Sequence, residues 1–132
     1  VKVAIVGSRT FFDRQLVERV VKRLVERDPS VVIVSGGAQG ADTLAERAAR
    51  RLCSTAPIVF PAEWHLHGRS AGFIRNQAIV NESDELVALW DGVSAGTMHS
   101  ISLARRKPIP TYVYLEPRRL WLDGDAVDEL IH

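Results

Sequence analysis

The sequence is expected to fold as one α/β domain: a mostly parallel sheet of about five strands with helices on both faces. Three observations predict it. Short apolar runs rich in branched residues, VKVAIVG, VVIV and ELVALW, have the composition of strands buried on both faces. Segments with the helical apolar period lie between such runs, and alternating strands and helices build a parallel sheet with right-handed connections. Each of the three runs also stops at a glycine-containing turn, just where the next element should turn back.

Taken in order, Val1 to Gly7 reads as the first strand. A helix follows from Asp13, with Leu16, Val17, Val20, Val21, Leu24 and Val25 at the helical period; Asp13 caps its start and Pro29 marks its end. Val31 to Val34 is the second strand. The helix from about Ala41 to Leu52 buries mostly alanine (Ala45, Ala48, Ala49), which lets it lie close on a sheet, while Glu46, Arg47, Arg50 and Arg51 face solvent. Pro57 to Phe60 is a third, shorter strand, and AEWHLHGRSAG, lacking a period, reads as a loop. A helix from about Ala71 to Asn81, a strand from Glu85 to Trp90, a helix from Ala95 to Arg106 and a strand from Pro108 to Leu115 complete the core. The tail, residues 116–132, carries a turn signal at Asp123-Gly124 and one helical turn from Asp125; its Leu120, Trp121, Leu122, Leu130 and Ile131 need burial on the core or on a second subunit.

At 132 residues the chain has room for a single core. Hydrophobic residues at 46% and charged ones at 25% are those of an ordinary globular protein, and no apolar run approaches the roughly 20 residues of a membrane span. The N-terminus shows no signal-like segment, so a cytoplasmic location is the expectation. The lone Cys53 cannot form an internal disulfide and reads as a small buried hydrophobe. With 17 Lys and Arg against 16 Asp and Glu, the net charge of +1 supplies no broad pull on nucleic acid, so phosphate recognition has to be local.

In a sheet of this kind ligands bind beyond the strand C-termini, where the strand order reverses. Three loops there have the composition of a phosphate cradle: Gly7-Ser8-Arg9, then Ser35-Gly36-Gly37-Ala38-Gln39-Gly40-Ala41-Asp42, then Asp91-Gly92-Val93-Ser94-Ala95-Gly96-Thr97. A helix N-terminus leaves about four N–H groups free and carries roughly half a positive charge; glycine lets an anion approach it. Ser8, Ser35, Ser94 and Thr97 add hydroxyl donors, and Arg9 adds a cation. Glycine after a strand also simply makes a tight turn. Neither the dinucleotide fingerprint nor the Walker A spacing is present.

The other concentration of functional residue types is AEWHLHGRSAGFIRNQ, with Glu63, Trp64, His65, His67, Arg69, Arg75, Asn76 and Gln77. His65 and His67 lack further metal ligands nearby, so neither a metal nor a cofactor is expected. Trp64 is either core or a flat surface for a base to stack on. Arg75 sits mid-helix among apolar neighbours and must reach solvent or hold something anionic.

Together, VAIVGSR, VSGGAQGAD, PAEW with HGRSAGFIRNQ, and WDGVSAGTMHSI resemble the SLOG superfamily in its YspA-like branch, over roughly residues 2 to 114. The resemblance implies a Rossmann-like fold that binds a nucleotide or a nucleotide-derived ligand. It is related to the Lonely Guy phosphoribohydrolases and to the DNA-processing protein A family, which holds single-stranded DNA. By this resemblance Gly36, Gly37 and Gly40, with Gly92, Ser94, Gly96 and Thr97, line a phosphate and ribose site, and Arg75 falls where the Lonely Guy enzymes carry a catalytic arginine. GVSAGTMHS departs from their signature: Ser100, preceded by His99, stands where the catalytic glutamate would be. A serine neither stabilises an oxocarbenium ion nor activates water well, so binding ranks above hydrolysis. An N-glycosidase would need Arg75 with a displaced carboxylate, Glu63, Asp42 or Asp91. Single-stranded DNA binding is a further alternative, with Arg47, Arg50, Arg51, Arg105, Arg106 and Lys107 as candidate basic patches, although such runs are usually solvated faces. The resemblance also implies a homodimer.

Overall fold

The computed structural model describes residues 1–122. The elements are β1 (Lys2–Gly7), α1 (Arg14–Arg27), β2 (Val32–Ser35), α2 (Ala41–Leu52), β3 (Ile58–Val59), α3 (Trp64–His67), α4 (Ala71–Glu82), β4 (Glu85–Trp90), α5 (Ala95–Arg106), β5 (Thr111–Leu115) and β6 (Leu120–Leu122). They form one sheet in the order β3-β2-β1-β4-β5-β6. All neighbours run parallel except β6, which is antiparallel to β5 and pairs Tyr114 with Trp121.

Alternation along each strand separates two cores. Val3 and Ile5 of β1 and Val87 and Leu89 of β4 point to the layer of α1 and α2, where Leu16, Val20 and Leu24 are buried. Ala4, Val6, Leu86 and Ala88 point the other way, against Ile79, Val80, Ile101 and Ala104 of α4 and α5. Each fully buried branched side chain contributes about 1.5–3 kcal/mol. Asp13 caps α1, its Oδ1 accepting from the amide of Leu16 at 3.1 Å. The alanine face of α2 brings it close to β1: a Cβ on Gly7 would stand 2.6 Å from that of Ala41. Cys53 ends α2 against the same core, and burial pushes its thiol up.

The structure differs from expectation at four places. The segment after β3 is not a plain loop: α3 and a 3₁₀ turn over Gly68–Ser70 lead directly into α4. The single turn of α3 buries none of its side chains, so no apolar period marks it. The sheet has a sixth strand, because Leu120 to Leu122 pairs with β5 and lays Trp121 edge-on against Tyr114, ring centroids 5.2 Å apart. Glu46 is half-buried rather than facing solvent, since its carboxylate accepts from the Ser35 hydroxyl at 2.9 Å. Lys107 is not part of a free basic patch: its ammonium caps α4 by donating to the carbonyls of Val80, Asn81 and Ser83 at 3.0, 2.9 and 3.0 Å. The turn at Asp123-Gly124, the helical turn from Asp125, and Leu130 and Ile131 lie outside the described residues.

Candidate functional site: a cleft at the sheet switch point

The chain steps from β1 outward to β2 and β3, then returns to the other side of β1 to lay down β4. The order therefore reverses between β1 and β4, and connections leaving two adjacent C-termini diverge there. A cleft of about 400 Å³ lies at that point, lined among others by Arg9, Asp42, Arg75, Asn76, Gly96 and Thr97.

One wall is the start of α5. The Asp91 Oδ1 accepts from the amides of Val93 and Ser94 at 2.9 and 2.7 Å, which fixes the turn. Partial burial pushes the Asp91 carboxyl up, but those two amides and the Ser8 hydroxyl outweigh it and hold the group below the usual carboxylate range. Ser8 also accepts from the Asp91 amide at 3.0 Å, so it ties the first and last turns together. The following helix start has no side-chain cap. A Cβ on Gly96 would meet no atom within 4 Å, so the helix start borders open space on that side. Thr97 and Ser100 are buried beneath, the Ser100 hydroxyl donating to the Gly96 carbonyl at 3.3 Å.

The opposite wall is the start of α2, and it is closed. Gly40 takes φ +75°, and a Cβ there would lie 2.4 Å from the Ser8 carbonyl oxygen and 2.5 Å from that of Arg9. The amide of Ala41 donates to the Ser8 carbonyl at 3.3 Å. Asp42, 4% exposed, folds back so that Oδ2 accepts from the Ala38 amide at 3.3 Å. This helix thus places its own carboxyl at its positive end. Burial pushes the Asp42 carboxyl up to about 7, against the Ala38 amide and the Arg75 charge, which pull it down, and with Glu46 adding to the rise. Its Oδ1 is buried without a hydrogen-bond partner among the described residues.

Arg75 and Asn76 of α4 bridge the two walls. The Arg75 Nη1 donates to the Gly36 carbonyl at 2.8 Å and its Nε to the Asn76 Oδ1 at 3.0 Å. Asn76 Nδ2 in turn donates to the Gly96 carbonyl at 3.2 Å. Desolvation lowers the Arg75 pKa; Asp42 counters this and the nearby Arg9 charge reinforces it. Arg9 is exposed and makes no ion pair among the described residues. At the rim stand Trp64 and Phe73, 52% and 51% exposed, the latter edge-on to His99 at 4.7 Å.

Of the residues singled out in the sequence, Gly7, Arg9, Asp42, Trp64, Arg75, Asn76, Asp91, Ser94, Gly96 and Thr97 are brought together around the cleft. Ser8 is buried behind it, and Gly36 and Gly37 line an adjoining hollow with Arg9, Trp64 and Arg75. Ser35 is fully buried with its hydroxyl committed to Glu46, and Glu63 lines a separate small hollow with Phe60 and His67. Neither reaches the cleft: Ser35 because its strand's alternation turns it toward α2, Glu63 because it precedes α3 on an exposed edge. Gly40 and Gly92 shape their turns from outside the lining, Gly92 at φ +88°. Phe73 and Thr10 line the cleft without having been singled out. The available signal for Phe73 was the pair Phe73-Ile74, since two successive positions of a surface helix cannot both face the sheet. No group of three His, Cys, Asp or Glu among the described residues is placed to hold a metal.

The comparisons with known proteins agree with this architecture. Residues 1–67 match the model of the YspA, cpYpsA-related SLOG family. The Gene 61 protein of Mycobacterium phage D29 is 36% identical over 115 residues, covering 83% of this chain and 92% of that protein. The structure of DNA processing protein A from Helicobacter pylori, described for its single-stranded DNA binding mode, superposes with a TM-score of 0.65 at 22% identity over 86% of this chain. The chain spans 64% of that protein's length. The molybdenum cofactor binding protein from Rippkaea orientalis gives a TM-score of 0.61 at 16% identity, over 85% of this chain and 74% of that one. These two likenesses show a shared fold, built in the present protein around a β1/β4 switch point. The matched residues hold β1, β2 and the glycine turns that follow them, and the chain belongs to the YspA, cpYpsA-related SLOG family.

Proposed function

We propose that the cleft binds a nucleotide or nucleotide-derived ligand, with its phosphate on the N-terminus of α5. One observation carries this: the uncapped, unobstructed helix start at Gly96 opens into the same cleft as the guanidinium groups of Arg9 and Arg75. Free amides and a helix dipole favour an anion there, and two like charges facing one space are relieved by it. The volume of about 400 Å³ falls within the range of small-ligand pockets, roughly 300–1,000 Å³. Trp64 and Phe73 offer flat apolar faces for a base at the rim.

Binding is favoured over cleavage. Ser100 holds the place of the expected glutamate and its hydroxyl is turned to the Gly96 carbonyl, Asp91 is spent on its turn, and Glu63 is elsewhere. Asp42 is the carboxyl left for an N-glycosidase using Arg75. A second reading, single-stranded DNA in the same cleft, is favoured by the rim position of Trp64, where a chain of bases could continue outward.

Mass spectrometry of small molecules released from the denatured protein, with calorimetric titration of mononucleotides and of a thymidine oligonucleotide, tests these readings. A co-purified or titratable nucleotide, weakened at least about tenfold by Arg9→Ala, is the expected result. Free base released from a mononucleotide would move the assignment to hydrolysis. Tight, steeply salt-dependent oligonucleotide binding with no mononucleotide binding would move it to DNA.

A further inference from the structure

The buried oxygen of Asp42 asks for a donor that the protein does not supply. Its Oδ1 has no partner among the described residues, although the carboxyl is 4% exposed and lines the cleft. Several neighbouring donors are turned elsewhere. Arg75 gives Nη1 to the Gly36 carbonyl and Nε to Asn76. The Ser35 hydroxyl goes to Glu46, and the Thr43 hydroxyl to the Ala38 carbonyl at 2.7 Å. The Ala38 amide is used by the other oxygen. A buried acceptor left in this state is costly, and buried polar groups are otherwise almost always paired.

Above about pH 7, where the carboxyl is ionised, a phosphate dianion cannot settle the debt, because its oxygens only accept. The ligand must bring hydroxyl or N–H donors to the floor of the cleft. Resting on the reading of the site as a nucleotide cleft, the phosphate takes the α5 start and the base takes the exposed aromatics of the rim. The sugar then lies between them, over the floor. We propose that Asp42 accepts hydrogen bonds from the ribose hydroxyls of the ligand, so that the site selects ribonucleotides over their 2′-deoxy counterparts. One carboxyl oxygen has two lone-pair positions, enough for both hydroxyls of a vicinal diol. The deoxy sugar leaves one of them empty at a buried carboxyl. Sites built to bond a hydroxyl discriminate strongly against ligands lacking it, for this reason.

The test is calorimetric titration of the wild-type protein with the four ribonucleoside 5′-monophosphates, the four 2′-deoxy counterparts and inorganic phosphate, repeated with Asp42→Asn. The expected result is a preference of at least about tenfold for the ribose form of whichever base binds, reduced to within about twofold in D42N. Equal affinity of ribo and deoxy forms in the wild type overturns the role of Asp42 while leaving the phosphate reading standing, and this arm does not depend on the variant folding. A preference that survives in D42N overturns it too. Binding of neither nucleotides nor phosphate overturns both this assignment and the nucleotide reading beneath it.

Discussion

Two glycines of like appearance have opposite duties. Gly40 must be glycine because two carbonyl oxygens stand within 2.5 Å of where a Cβ would sit. Gly96 has nothing near it within 4 Å. Gly40→Ala should therefore cost about 3 kcal/mol or more, through clash and a strained φ. Gly96→Ala should leave the melting temperature unchanged or slightly raised while weakening phosphate binding about tenfold, since the methyl enters the cleft. Melting curves beside phosphate titrations separate the two; equal destabilisation by both substitutions would be the contrary result. Asp42 supplies a prediction in pH. The folded protein keeps a proton on this carboxyl up to about pH 7, held there by burial and Glu46 against the pull of Arg75, whereas the unfolded chain releases it near about pH 4. Stability should fall as pH rises between these values, by roughly 2–4 kcal/mol, and level off above pH 7. D42N should lack that slope and melt higher than the wild type at pH 8, converging near pH 4. Parallel pH profiles for the two proteins would refute it. That these residues gather in one place is legible from their positions after strands, but the commitments of Ser35 and Glu63 are not. They depend on which side of a wall a side chain faces, and no spacing in the chain encodes that.

The helices α1 and α2 are readable because each carries an apolar stripe long enough to register, and α2 and α5 begin and end where expected. What defeats the reading is shortness. A four-residue helix with no buried side chain and a three-residue strand paired through its neighbour's edge have no period to detect. Lys107 shows a related limit. It looks like one more surface cation, yet it closes the C-terminal end of α4, where carbonyls lack helical partners and a positive charge meets the negative dipole end. Lys107→Met should lower stability by about 1 kcal/mol, or roughly 2–6 °C in melting temperature. Arg106→Met, next in the chain and without such bonds among the described residues, is the control and should change little. Because α4 carries Arg75 and Asn76, the same loss should loosen the bridge between the two walls, readable as faster amide exchange at α4.

For the whole molecule, the parallel core follows from alternation and right-handed connections, whereas the reversal of order beside β1, which locates the cleft, emerges only in the fold. The assembly state rests on other surfaces. Leu66, Ile74 and Met98 are exposed on α3, α4 and α5 outside the cleft lining. We expect a second copy to cover them, which predicts a dimer mass in light scattering and a shift toward monomer in Leu66→Glu with Ile74→Glu. A monomer at micromolar wild-type concentration would contradict it. The flanks of the sheet bear on how such a pair can form. β3 ends one side with two residues, and beyond β5 the other side carries, among the described residues, three laid antiparallel. A strip as short as β3 presents too few free main-chain groups to recruit another sheet, and an unprotected long parallel flank is the usual route to runaway stacking. Copies of this chain are thereby steered to meet through helix surfaces, and the protein should stay dispersed at concentrations where a longer open border would seed fibres.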